Sequence, residues 1–145
     1  PEELLHIERV RNANTYKLAE KVLHKLALVN QRRIKHEVSL IFGLPLQTVE
    51  SFQQTILKLQ ETTDGSLVAF PLMLLRGTPL YYQKKKFGLI EGTDIAHPLI
   101  DRIQKFIPHV VTSPSMSYID WNTMANIAVS LQDQTEPKEE SGIHA

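Results

Sequence analysis

The sequence predicts an α/β protein, and three observations carry that prediction. Helical spacing alternates with short apolar runs in the order helix, strand, helix, strand. The first run, "EVSLIFG" over residues 37–43, is apolar at consecutive positions, which suits a parallel strand covered on both faces. A second run, "LVAFPL" over residues 67–72, follows one helix later, so the pair reads as a single right-handed βαβ crossover.

Residues 2–11, "EELLHIERVR", read as a short helix or a loop running into one. From Thr15 the spacing turns helical, with Leu18, Val22, Leu26 and Val29 at three- and four-residue intervals and Ala19 and Leu23 broadening the stripe. Asn14 or Thr15 is placed to accept the free N–H groups of its first turn, and the helix is expected to end near Asn30. After the first strand, Thr48 is the cap of a helix whose buried stripe is Val49, Phe52, Ile56 and Leu59. "TTDGS", residues 62–66, is a turn in which Gly65 is suited to a positive φ, and the second strand is closed by Pro71. Residues 73–92 have the Gly, Pro and polar content of a long loop with a short helical piece. "PLIDRIQKFI", residues 98–107, is expected to be helical, with Leu99, Ile103 and Phe106 along one side. Ser117 and Asp120 form a capping-box start for a helix with the stripe Trp121, Met124, Ile127 or Ala128, and Leu131. The polar tail from Gln132 is expected to be disordered. The division this gives is 1–92 for the strand-bearing part, 93–131 for a helical extension and 132–145 for the tail.

Composition narrows the function. The 145 residues suffice for one domain, and 42% of them are apolar, so a core can form. Sixteen basic residues balance sixteen acidic ones, which argues against nucleic acid, whose phosphates call for clustered cations. The run Lys84-Lys85-Lys86 is short and reads as a solvated face. The chain has no cysteine, so it holds no disulfide, thiolate nucleophile, zinc–thiolate site or self-contained iron–sulfur cluster. No apolar run approaches the roughly 20 residues of a membrane span, and nothing resembles a signal peptide, so the expected location is cytoplasmic. The first residue is Pro1 on an amphipathic segment already under way, which suggests a piece of something longer. The six histidines show no metal-binding spacing, Asp64, Asp94, Asp101 and Asp120 form no evident pair, and no serine sits in a G-x-S-x-G elbow. No catalytic residue and no metal ligand is therefore assigned. Two parallel strands alone also leave sheet edges without partners, so neighbours for them are expected from elsewhere.

A resemblance supplies a reading of this incompleteness. "LIFGLP", "QTVESF", "FPLMLL" and "GTPLYY" stand in order at residues 40–45, 47–52, 70–75 and 77–82. In that order and at that separation they resemble motifs of the radical S-adenosylmethionine (radical SAM) superfamily. The branch in question holds the oxygen-independent coproporphyrinogen oxidases and the cobalamin-binding-type enzymes. "LLHIERVRN" is similar to the helix after the family's fourth strand, and "SYIDWNTMANIAVSL" to a C-terminal helix of several members. The resemblance implies a (β/α)6 partial barrel, of which this chain would carry about the last two strands and a C-terminal helical extension.

The family's [4Fe–4S] cluster sits on a C-x3-C-x2-C loop after the first strand, in the half this chain does not contain. With reduced cluster and bound S-adenosylmethionine, the family generates a 5′-deoxyadenosyl radical that abstracts hydrogen from substrate. The parent would be such an enzyme, and this chain alone would be inactive. By the same resemblance Ile41, Gly43 and Pro45, with Phe70, Pro71 and Leu72 from the next strand, would border the adenine of the cofactor, and Arg9 would reach its carboxylate. Gly43 lacks a Cβ and so would let a flat ring approach, while Pro45 stiffens the exit. Two positions depart from the motif: Ser39 replaces an aspartate, and Leu46 replaces the second glycine of G-L-P-G. The implied partner is the missing N-terminal half of the barrel, with self-association through open strand edges as a further possibility. Neither the substrate nor cobalamin binding is legible. The alternative function is a non-catalytic remnant acting as an interaction module, and the plain reading of Gly43 and Pro45 is a strand-to-helix turn.

Overall fold

A computed structural model of the chain describes residues 15–93, 95–103 and 105–135. The segment 2–11 read as a short helix or a loop running into one, with Arg9 in it, the cap candidate Asn14, and the last ten residues of the tail lie outside them. The elements in order are α1 (Thr15–Gln31), β1 (Glu37–Phe42), α2 (Val49–Thr62), β2 (Ser66–Pro71), α3 (Pro79–Tyr82), β3 (Ile90–Gly92), α4 (Pro98–Arg102), β4 (His109–Thr112) and α5 (Tyr118–Thr135). The class is α/β with two small sheets, and no closed barrel is formed among the described residues.

The β1–α2–β2 unit follows the local signals. β1 and β2 pair in parallel, from Glu37 opposite Ser66 to Phe42 opposite Pro71. Thr48 and Ser51 cap α2 reciprocally: the Thr48 hydroxyl accepts from Ser51 N–H at 3.1 Å, and the Ser51 hydroxyl accepts from Thr48 N–H at 3.0 Å. Phe52, Ile56 and Leu59 are the buried residues of that helix. α5 begins in the same way, with Asp120 N–H on the Ser117 hydroxyl at 3.1 Å and Ser117 N–H on the Asp120 carboxylate at 2.9 Å. Its buried stripe is Trp121, Met124, Ala125, Ala128 and Leu131, so Ala128 and not Ile127 takes the open place in the pattern.

The core lies between one face of the parallel sheet and the helices α2 and α5. Phe42 is fully buried, with its ring centroid 5.7 Å from that of Phe52 on α2 and 5.8 Å from that of Trp121 on α5. Leu67 and Ala69 join the same cluster, and Val38 and Leu40 pack against it. His97 closes one side. Its Nδ1 accepts from Leu99 N–H at 3.0 Å as the cap of α4, which leaves Nε2 to donate to Asn126 Oδ1 at 2.8 Å.

Several expectations need correction. β1 is covered on one face only, because Glu37, Ser39 and Ile41 alternate outward with no layer over them among the described residues. In α1 the packed positions are Leu23 and Leu26, while Val22 is 47% exposed. Gly65 stays out of the left-handed region; what it provides is room, since the His36 ring fills the space a Cβ would need. That ring is held between the Ile34 carbonyl and the Thr63 hydroxyl. The helix from Pro98 stops at Arg102, and Phe106 adopts φ +63° and is 81% exposed; this reversal and Pro108 turn the chain into β4. The extension from residue 93 is therefore not wholly helical: β4 pairs antiparallel with β3. The segment from Gln132 to Thr135, placed with the tail, is the last turn of α5. Nor are both strands without neighbours. Leu72 N–H donates to the Phe42 carbonyl and the Leu72 carbonyl accepts from Val110 N–H, each at 2.9 Å, so β4 lies against the end of β2. The far edge of β1 has no strand beside it among the described residues.

Candidate functional site at the carboxyl ends of the parallel strands

Ile41 and Phe70 are register partners in the parallel pair, and partners directly opposite point to the same face. Both are exposed, at 48% and 38%, on the face turned away from α2 and α5. Two large apolar side chains thus stand side by side at the carboxyl end of the sheet, where loops of α/β proteins gather ligands. Their uncharged surface is suited to an aromatic ring or another apolar group.

The remaining described residues expected at this site do not share that exposed surface. Gly43, Pro45, Pro71 and Leu72 are all buried. Gly43 does not open a notch: a Cβ there would meet Met116 Cε and the Val110 carbonyl at 3.6 Å and Leu72 Cβ at 3.7 Å. Those are ordinary contacts, so space does not dictate glycine. Its φ of +91° does, because that region is costly for any residue with a Cβ.

The turn after Gly43 is set by a residue to which the motif alone assigned no role. Gln47 is a buried polar side chain whose Oε1 accepts from Gly43 N–H at 2.7 Å and from Leu44 N–H at 3.2 Å. Its Nε2 reaches the Ile41 carbonyl at a long 3.5 Å. Gln47 N–H closes on the Leu44 carbonyl at 3.1 Å, with Pro45 second and Leu46 third at φ +67°. Proline at the second place and positive φ at the third identify a type II turn, whose third residue is ordinarily glycine. From the far end of the chain, the Ser115 hydroxyl donates to the Gln47 carbonyl at 2.8 Å. Gln47, Ser115, Met116 and Val110 are thus site-building residues that sequence reasoning missed. The only local signal was a polar residue between a proline turn and a helix cap.

Charge plays a small part here. Among the described residues no cluster of three His, Cys, Asp or Glu side chains can hold a metal ion. His109, buried at the start of β4, is the one group among the described residues with a clear shift: desolvation lowers its pKa from the ordinary 6.5, and its interaction with the Ile107 backbone works the other way. No helix among the described residues is long and apolar enough to cross a membrane. No protein-family model matches the chain, and no curated protein matches it.

Proposed function

We propose that this chain is the C-terminal part of a radical SAM enzyme and contributes the adenine-binding strand ends of its partial barrel. The observation that carries the reading is the uncovered pair Ile41 and Phe70, side by side on two parallel strands whose opposite face is sealed by helices. Barrel strands have this character, with helices on one side and ligand chemistry at the carboxyl ends of the other. A second observation supports the motif match itself. At Leu46, where the resembled motif has glycine, the backbone still takes the positive φ that glycine serves.

S-adenosylmethionine and a [4Fe–4S] cluster are the cofactors this reading requires, and the two fare differently here. The apolar pair suits the face of an adenine ring, whose binding and orientation fall to this chain. The cluster does not fit: with no cysteine in 145 residues, the chain offers no thiolate to hold it. The ligands must come from the N-terminal half of the barrel, which would also pair with the free edge of β1. Self-association through that edge is the corresponding expectation if the chain acts as a non-catalytic interaction module.

The test is direct. In the reading frame upstream of Pro1, a C-x3-C-x2-C loop is expected. The longer polypeptide, purified without oxygen, should carry iron and sulfide and release 5′-deoxyadenosine from S-adenosylmethionine when reduced. A frame that opens beside Pro1 with no such loop sinks the enzyme reading and leaves the interaction module.

A further inference from the structure

We infer that Gln47 is a positioning residue of the strand-end site, holding Ile41 and Gly43 in the arrangement that a nucleoside would meet; this rests on the nucleoside reading given above. Gln47 itself presents nothing to solvent, being 6% exposed, so it acts through its neighbours. One side-chain oxygen takes the N–H groups of two successive residues, Gly43 and Leu44, at the point where β1 ends. Buried N–H groups left without an acceptor are costly, so this carboxamide fixes the path of the chain where the strand ladder no longer can. The opposite amide nitrogen faces the Ile41 carbonyl, which belongs to the residue whose side chain forms half of the apolar pair.

The main chain of Gln47 is held as well. Its N–H closes the type II turn on Leu44, and its carbonyl receives the Ser115 hydroxyl. Ser115 stands next to Met116, which packs under Gly43. A segment some seventy residues further along the chain therefore fastens the turn from outside. Removing the Gln47 carboxamide should free the end of β1 locally while the core around Phe42, Phe52 and Trp121 persists. Removing the Ser115 hydroxyl should loosen it less, since the side-chain bonds of Gln47 remain.

The experiment uses the 145-residue chain, labelled for NMR, as wild type, Gln47→Leu and Ser115→Ala, with adenosine as the probe. In Gln47→Leu, exchange of the Gly43 and Leu44 amide protons should accelerate at least tenfold relative to Ala69. The adenosine-induced shifts of Ile41 and Phe70 should fall by a similar factor in affinity. Ser115→Ala should move both in the same direction by a few-fold, and it serves as the decisive variant if Gln47→Leu does not fold. Unchanged exchange at Gly43 and Leu44 overturns the inference. So does faster exchange with undiminished adenosine shifts, an outcome that leaves the nucleoside reading standing. If adenosine moves neither Ile41 nor Phe70 in the wild type, the nucleoside reading fails and the positioning role fails with it.

Discussion

The two faces of the parallel sheet carry side chains of similar size to different ends. Phe42 and Ile41 are adjacent in β1, yet one is fully buried between Phe52 and Trp121 and the other stands half in solvent beside Phe70. Alternation along a strand sends neighbours to opposite faces, so sequence position alone separates a residue that holds the fold from one available to a ligand. The covered face contributes burial within the chain. On the open face Val68 is also buried within the chain, and what the exposed parts of Ile41 and Phe70 contribute comes only when something is laid against them.

The sharpest way to break that comparison is to truncate both neighbours. Phe42→Ala removes a ring packed against two helices and should lower the unfolding free energy by about 3–5 kcal/mol. Ile41→Ala, on the open face, should cost only about 1 kcal/mol, because about half of its surface stays in water on folding. Urea denaturation of the two variants measures the difference. Equal losses would mean that the open face is covered in solution, by a second copy or another partner.

Gly43 marks the border between the faces and gives the next effect. Gly43→Ala meets only ordinary contacts at 3.6 Å but must hold φ at +91°, so the loss should be about 1–2 kcal/mol from backbone strain. A loss as large as that of Phe42→Ala would show that Met116 and Val110 cannot shift to admit a methyl group.

A smaller effect is expected from pH, at the buried start of β4. The folded-state pKa of His109 lies below its ordinary 6.5 because burial disfavours the charged ring. Above that value both folded and unfolded chains carry a neutral imidazole, and its contribution to stability is complete. As pH falls from about 6.5 toward the lower folded pKa, only the unfolded chain takes up the proton, and stability declines. Unfolding midpoints at pH 7.5 and 5.5 should therefore differ, and the difference should narrow in His109→Gln. If it does not narrow, the loss belongs to other groups.

What the sequence revealed and what it hid divide along the range of the interactions. Thr48 and Ser117 were readable as caps, and the stripes Phe52, Ile56, Leu59 and Trp121, Met124, Leu131 as buried faces, because each depends on residues within a few turns. The β3–β4 pair was not readable. Its strands are three and four residues long, and residue 92 pairs with residue 109 across intervening structure. The same holds at the candidate site. Ile41 and Phe70 could be named, but the floor under Gly43 comes from Val110 and Met116, and the clamp on Gln47 from Ser115, none of which has a local signature. Periodicity also misled where only one side of an element is covered, as at Val22, or where a helix pattern stops early, as at Ile103, whose extended backbone caps α4 ahead of the reversal at Phe106.

The smallest effect, and the one of opposite sign, belongs to Leu46. Its φ of +67° places a branched side chain in the left-handed region, a strain of about 1–2 kcal/mol for a residue with a Cβ. Burial does not offset it, since the side chain is 55% exposed. Leu46→Gly relieves the strain but gives the unfolded chain more freedom, at a cost of about 0.5–1 kcal/mol. The net expectation is a gain of roughly 0.5–1 kcal/mol, read as a higher urea midpoint at unchanged slope. The comparison of faces sharpens with it, because a gain would show that the exposed leucine returns little stability to the chain that carries it. A loss of stability in Leu46→Gly would mean instead that the exposed leucine packs on its own chain in solution, and the open end of the sheet would be smaller than the structure draws it.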